Sequence, residues 1–292
     1  LRPQVTVVTA IGDDHRTTFG SRGEAARIKS HAVAGLTPDG VAVLNADDPL
    51  VWAMRAQAPG RVIGYGRSPE AELRLLSATA RWPERLAVTG SHGGEAVTLQ
   101  TRLVGLANTV PVLAALAGGL ALGLPLAEVV AALAEAEPVD GRLCPHETTG
   151  GVTFLDNSWK SPLHIVPAAL EVLATAQVAR RIAVFGAISD FTGRSSARYR
   201  QVARQAMQVA EVVIFCGSWG GTVTRIEALP GRTLLYFPGI VSLRDALREL
   251  LRPGDLVLFC GSSRMDPFDR LILDLKQPVT CWTDRCRAMV RC

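Results

Sequence analysis

Runs of four or five apolar, β-branched residues alternate along this chain with longer stretches in which apolar positions recur at helical spacing. Polar turns separate the two kinds. Val5–Thr9 (VTVVT), Val41–Leu44 and Val62–Tyr65 predict strands, and Ser21–Leu36, between the first two, predicts a helix. Leu86–Thr89 and Val97–Thr101 flank the turn-rich SHGGE and predict a hairpin. Ala107–Leu122 and Leu126–Ala136 predict two helices divided by Gly-Leu-Pro, with Pro125 suited to the first turn of the second.

The pattern breaks at Glu137-Pro138-Val139-Asp140-Gly141, which predicts one domain over residues 1–138 and another over 139–292. Beyond the break, near-continuous apolar runs at Val152–Leu155, Ile182–Phe185, Val212–Phe215 and Leu256–Phe259 predict buried parallel strands. Ile165–Ala176, Ala197–Ala210, Ser242–Leu251 and Asp266–Leu275 predict the helices between and after them. The expected class is α/β, with a doubly wound, Rossmann-like second domain. In such sheets ligands lie beyond the carboxyl ends of the strands, so the residues just after each strand carry the candidate chemistry.

Composition narrows this picture. A chain of 292 residues with 48% apolar and 20% charged residues can bury two ordinary cores. The net charge of +4 is spread without a basic block or interleaved aromatics, so nucleic acid is not an expected partner. The uncharged stretch between Arg102 and Glu128 is long enough for a membrane span. Asn108, Pro111, Gly118-Gly119, Gly123 and Pro125 interrupt it, however, and two short core helices are expected instead. Cys144, Cys216 and Cys260 lie in or after apolar runs and are expected to be buried free thiols. Cys281, Cys286 and Cys292 cluster near the end without a CxxC spacing or a nearby histidine, and are read as a reduced tail rather than a metal site. There is no signal peptide, so the expected location is the cytoplasm. The start at Leu1 rather than Met marks an expected fragment or a processed product.

Three strand ends and one helical lysine stand out. After the first strand come Thr9-Ala10-Ile11-Gly12-Asp13-Asp14-His15, a set that reads either as a polar turn or as a metal- or phosphate-binding loop. Lys29 follows on the helix EAARIKSHAVAGL. Asn45-Ala46-Asp47-Asp48-Pro49 follows the second strand, as a routine Asx turn or as groups facing a nucleotide. Asp156-Asn157-Ser158-Trp159-Lys160-Ser161-Pro162 follows Val152–Leu155 and is the densest cluster. Ser161 as helix N-cap with Pro162 at the first helical position accounts for part of it, but not for Asp156 or Lys160.

Together these stretches resemble the Mur ligases, most nearly those that add D-alanyl-D-alanine to the UDP-muramoyl tripeptide. RPQVTVVTAIGDDH…FGS resembles the family's RPDVAVITNIGPEH…FGS, and SRGEAARIKS resembles SLEGIARAKGE. GVAVLNADDP is nearly verbatim, and VDGRL resembles PVxGRLE. FLDNSWKSP stands at IDDSYNANP, RRIAVFGAISDFTGRSS at RRIAVLGDMLELGEHS, and LVLFCGSSRM is similar to VLVKGSRGM. The resemblance implies ATP and Mg2+ as cofactors and a small-molecule or peptide substrate. It implies that His15 binds a second magnesium and that Lys29 is carbamylated, its carbamate serving as a metal-binding carboxylate. It further implies that Asn45, Asp47 and Asn108 face the nucleotide, that Arg142 contacts its phosphate or ribose, and that Asp156 and Asn157 hold it. Trp159, Lys160 and Ser161 would line the site for the incoming amine.

The departures are as informative. The family's phosphate loop ends in Gly-Lys-Thr, whereas the three lysines here follow Ile28, Trp159 and Leu275. The loop is therefore expected from a preceding segment of the same protein or from a second polypeptide. The family's GxHNVxNALAA reads Gly105-Leu106-Ala107-Asn108-Thr109-Val110-Pro111, an acid is replaced by Ala187, and the family's late lysine by Cys260. Two functions follow: a peptidoglycan-type amide ligase acting through an acyl phosphate, needing a front half, or a degenerate, non-catalytic binding or scaffold protein. A third class, a Rossmann-type oxidoreductase, fits poorly because no GxGxxG follows a strand.

Overall fold

The computed structural model describes residues 2–12, 20–274 and 277–282, which form two compact units. The first spans residues 1–80 and 84–137, and the second 81–83 and 138–292.

In the first unit, strands β1 (Val5–Val8), β2 (Val41–Asn45), β3 (Arg61–Gly66), β4 (Leu73–Thr79), β5 (Ala87–His92) and β6 (Glu95–Gln100) pair in that order. β1 to β4 run parallel, and β4 to β6 form an antiparallel meander whose last hairpin turns at Gly93-Gly94. In register, Val8 stands beside Leu44, and Leu44 beside Gly64, so β1, β2 and β3 end within two residues of one another. β2 alternates between two cores, as a strand covered on both faces must. Val43 packs with Ile63, Tyr65 and Leu116 of helix α2 (Thr109–Ala121). Ala42 and Leu44 pack with Ala25 and Val33 of helix α1 (Arg22–Ala34). Helix α3 (Leu126–Ala134) lies against α2, so the uncharged stretch is two short core helices, and no helix among the described residues is long and apolar enough to cross a membrane.

In the second unit, β7 (Cys144–Glu147), β8 (Thr153–Asn157), β9 (Arg180–Phe185), β10 (Val212–Cys216), β11 (Thr233–Phe237) and β12 (Asp255–Cys260) form a sheet in the order β11-β10-β9-β12-β8-β7. All neighbours are parallel except the edge pair β7–β8. Helices α4 (Val166–Thr175), α5 (Ser195–Val209), α6 (Ile240–Leu250) and α7 (Phe268–Asp274) cover it. Phe154, Val184, Ile214 and Phe259 pack with α6 and α7, while on the opposite parity Phe185 stacks on Phe215, which meets Tyr199 of α5. Helices on both faces of a parallel sheet make this unit doubly wound.

β4, β7 and β11 had no forecast. β4 exposes Leu76 and departs from strict alternation at a register shift, β7 is four residues with a proline, and β11 is only half-buried. Two forecasts need correcting. Ser161 does not cap α4: a 3-10 turn over Leu163–Ile165 comes first, and Ser161 and Pro162 instead form an extended bridge with Ser189. Cys144 is half-buried on an edge strand rather than in the core, whereas Cys216 and Cys260 are buried. Cys281 is exposed, and Cys286 and Cys292 lie outside the described residues.

At the amino ends of β9 and β10, Glu211 accepts from the Arg181 backbone N–H at 2.7 Å and pairs with the Arg181 guanidinium at 2.6 Å and that of Arg232 at 2.8 Å. Burial opposes its ionisation, but the two arginines outweigh burial and hold the carboxyl at about 2. A depressed folded value stabilises above the ordinary carboxylate range and is lost as pH falls from there toward 2. With screening at this partly exposed site, Glu211→Gln is expected to cost about 1–2 kcal/mol at neutral pH and almost nothing near pH 2. Urea unfolding at the two pH values reads the difference, and an equal cost at both would reject the assignment.

Candidate functional site

The loop after β1 is tied down from three sides. Asn45, at the end of β2, donates from Nδ2 to the Thr9 carbonyl at 2.9 Å, and Asp48 Oδ2 accepts from the Ile11 N–H at 2.8 Å. From α1, Arg22 Nε donates to the Ile11 carbonyl at 3.0 Å and Lys29 Nζ to the Ala10 carbonyl at 3.3 Å. The nearly level ends of β1 and β2 make these reaches possible, and the helix pitch places Arg22 and Lys29, two turns apart, along one face. Lys29 is solvent-exposed with its amine over the strand end, open to chemistry. His15 lies outside the described residues, four positions after Ile11.

Asp47 has a different role. Its carboxylate accepts from the Arg67 and Ser68 N–H groups, both at 2.8 Å, and so organises the turn after β3. Asn45 Oδ1 accepts from the Asp47 N–H at 3.0 Å. Behind these braces lies a cavity of about 230 Å³, lined by Asn45, Asp47, Tyr65, Leu106, Thr109 and Val110 among others. Burial and then the neighbouring Asp47 and Asp48 push the Tyr65 phenol above its ordinary range, so it stays protonated. Asn108 is not among the lining residues: its Nδ2 donates to the Val104 carbonyl at 2.8 Å and holds the loop that precedes α2.

In the second unit, Asp156 is 2% exposed, and its Oδ1 accepts from the Ser158 N–H at 3.0 Å and the Ser158 hydroxyl at 2.5 Å. Asn157 Nδ2 reaches the Cys260 sulfur at 3.8 Å, and burial pushes that thiol up to about 12, so it is an inert neighbour. Trp159 is half exposed, and Lys160 pairs with Asp190 at 2.5 Å. Ser161 is buried beside Cys260. Arg142 sits exposed in the turn before β7.

A hollow of about 560 Å³ in this unit opens over the carboxyl ends of β9, β10 and β12. Gly186, Ala187, Trp219, Arg264, Met265 and Asp266 contribute to its lining. Asp266 anchors its floor. The carboxylate accepts from the Ala187 N–H at 2.7 Å and the Ser262 N–H at 2.8 Å, and burial pushes it above the usual range against those bonds. A Cβ on Gly186 would sit 2.3 Å from the Asp266 carboxyl carbon, so only glycine admits this contact. Sequence reasoning passed over Asp266 and Trp219. Both lie just beyond strands, in or after the segments GSW and GSSRM, and neither segment declares which side chain turns inward.

Comparison with known proteins supplies the context. Residues 1–119 match the Mur ligase middle domain, and residues 141–263 match the Mur ligase, glutamate ligase domain. The chain is 32% identical to the UDP-N-acetylmuramoyl-tripeptide--D-alanyl-D-alanine ligase of Escherichia coli, covering 96% of this chain and 62% of that protein. It is 27% identical to the UDP-N-acetylmuramoylalanine--D-glutamate ligase of Pelotomaculum thermopropionicum, covering 95% of this chain and 61% of that one. A crystal structure of MurF from Acinetobacter baumannii shares the fold with a TM-score of 0.84 at 21% identity, over 94% of this chain and 60% of the other. MurF ligase from Thermotoga maritima in complex with ADP aligns with a TM-score of 0.75 at 18% identity, over 95% and 64%. The chain thus spans about three fifths of the length of the relatives it matches.

Proposed function

This chain belongs to the Mur ligase family, with its middle and glutamate ligase domains, and on that premise we propose that it is the downstream part of an ATP-dependent amide ligase acting in the cytoplasm. The observation that carries the proposal is the Lys29 amine, held over the end of β1 by α1 in the loop that leads to His15. As a carbamate, Lys29 would offer an oxygen donor there, and with His15 it would hold Mg2+, whose charge offsets that of the phosphates. The donor chemistry fits: an exposed amine beside a loop rigidified by Asn45, Asp48 and Arg22 can accept carbon dioxide without disturbing a core contact.

The cavity beside Asn45 suits a nucleotide base. Tyr65, Leu75, Leu106, Val110 and Leu113 offer apolar walls to a flat ring, and Asn45 and Thr109 offer polar edges. In the reaction, a substrate carboxylate oxygen bonds to the γ-phosphorus as the bond to ADP breaks. The amine nitrogen then bonds to the acyl carbon, phosphate leaves, and the amine proton passes to solvent or to a base. The hollow over β9, β10 and β12 is the proposed place for the amine component, with Trp219 as an exposed aromatic face. Lys160 already pairs with Asp190, so an acidic substrate group there would have to displace that carboxylate. The phosphate loop is assigned to a preceding segment of the same protein. A second polypeptide has no support beyond the lack of that loop here.

Calorimetry on the full-length gene product is expected to show Mg-ATP binding. Val110→Trp, filling the cavity, is expected to weaken it at least tenfold, about 1.4 kcal/mol, while Val110→Ala binds almost normally. Absence of Mg-ATP binding would reject the ligase. It would leave the second reading, a non-catalytic scaffold, which the internally matched Asp47 and Lys160 and the alanine at position 187 favour.

A further inference from the structure

Asp140, Cys144 and His146 each offer one ligand atom, and these three atoms lie within 4.8 Å of one another. The Cys144 sulfur stands 3.8 Å from Asp140 Oδ1. Two local features cause the convergence. Cys144 and His146 are two apart on β7, and strand side chains at that spacing share a face. Asp140 is folded back toward them by the preceding turn, in which the Arg142 N–H donates to the Val139 carbonyl at 2.9 Å and Gly141 takes a φ of 74°. Leu143, between the turn and the strand, is held at a φ of 53° with its side chain buried, a conformation that costs a non-glycine residue about 1 kcal/mol or more. The Trp159 N–H, donating to the Gly141 carbonyl at 3.1 Å, ties the same turn to the segment after β8.

We propose that this trio is a transition-metal site of the zinc class, built into the start of the second unit and separate from the nucleotide chemistry. A thiolate, an imidazole and a carboxylate form a donor set that suits Zn2+ or Co2+ and not the all-oxygen preference of Mg2+ or Ca2+. Thiolate and carboxylate together neutralise a dication. Metal–ligand bonds of about 2.0–2.3 Å in a tetrahedron put ligand atoms about 3.3–3.8 Å apart, so the observed spacing needs only small side-chain rotations. Binding breaks the Cys144 S–H bond, releases that proton to solvent and forms a sulfur–metal bond. Asp140 is exposed while Cys144 and His146 are half-buried, so a water can reach the fourth position. The bound ion would lock the turn that carries Arg142.

The test is cobalt titration of the metal-stripped protein, with zinc as competitor. One Co2+ per chain is expected, with a thiolate-to-cobalt charge-transfer band that stoichiometric zinc removes. The band is expected to survive in a Cys281→Ser, Cys286→Ser, Cys292→Ser background and to vanish in Cys144→Ser. Asp140→Ala, on an exposed turn, is expected to weaken binding at least tenfold with an unchanged circular dichroism spectrum. No band, a band that persists in Cys144→Ser, or unchanged affinity in Asp140→Ala overturns the site. Mg-ATP binding plays no part in this readout, so the two readings fail separately.

Discussion

Asp255→Ala is expected to lower the unfolding free energy of the second unit by about 3–5 kcal/mol, the cost of leaving a buried charge without its partner. Asp255 is the first residue of the central strand β12, and its side chain is 2% exposed. Its carboxylate accepts from Arg180 Nε at 2.9 Å and Nη2 at 2.6 Å, and from the Arg252 N–H at 2.8 Å. Removing it strands a guanidinium that is itself mostly buried and keeps only the Leu250 carbonyl at 2.7 Å. Asp255→Asn retains the shape and part of the hydrogen bonding, and should fall between parent and alanine. Urea unfolding followed by circular dichroism reads the effect through the midpoint at unchanged slope. A loss below about 1 kcal/mol would mean that the pair is solvated despite its surroundings.

Lys29→Ala in the full-length gene product is expected to reduce substrate-dependent phosphate release from ATP at least about a hundredfold, the scale seen when one preorganised stabiliser of transition-state charge is lost. On the proposed ligase reading the effect follows from chemistry that alanine cannot replace: without the amine there would be no carbamate, and the metal would lose an oxygen donor. Depleting bicarbonate should slow the parent and leave the variant unchanged. Structurally the substitution is mild, because Lys29 is exposed and its only described bond is to the Ala10 carbonyl at 3.3 Å. Unchanged phosphate release, with no dependence on bicarbonate, would remove Lys29 from the reaction.

These two cases differ in how far the sequence reveals them. Lys29 was visible from the helix that carries it and from the family resemblance of SRGEAARIKS. Asp255 was not, because its importance depends on Arg180, seventy-five positions away, which becomes its neighbour only when β9 and β12 pair. The loop residues after β2 fall in between. Asn45-Ala46-Asp47-Asp48 reads as an Asx turn or as a ligand-facing segment, and the fold puts it to use in bracing: Asp47 serves the turn after β3, Asn45 and Asp48 the loop after β1.

What the residue order determined by itself was the alternation of strand and helix, the α/β class, the doubly wound second sheet and the family. All of these are written in local periodicity and in contiguous motifs, which survive without knowledge of neighbours. Tertiary structure alone decided which polar groups are spent on one another and which converge. It paired Lys160 with Asp190, set Asp266 against Gly186, kept Ser161 from capping α4 and gathered Asp140, Cys144 and His146 into one cluster. The physical reason is that a side chain's partner depends on sheet order, register and turn geometry, and these arise from burial summed over a whole unit rather than from any one segment.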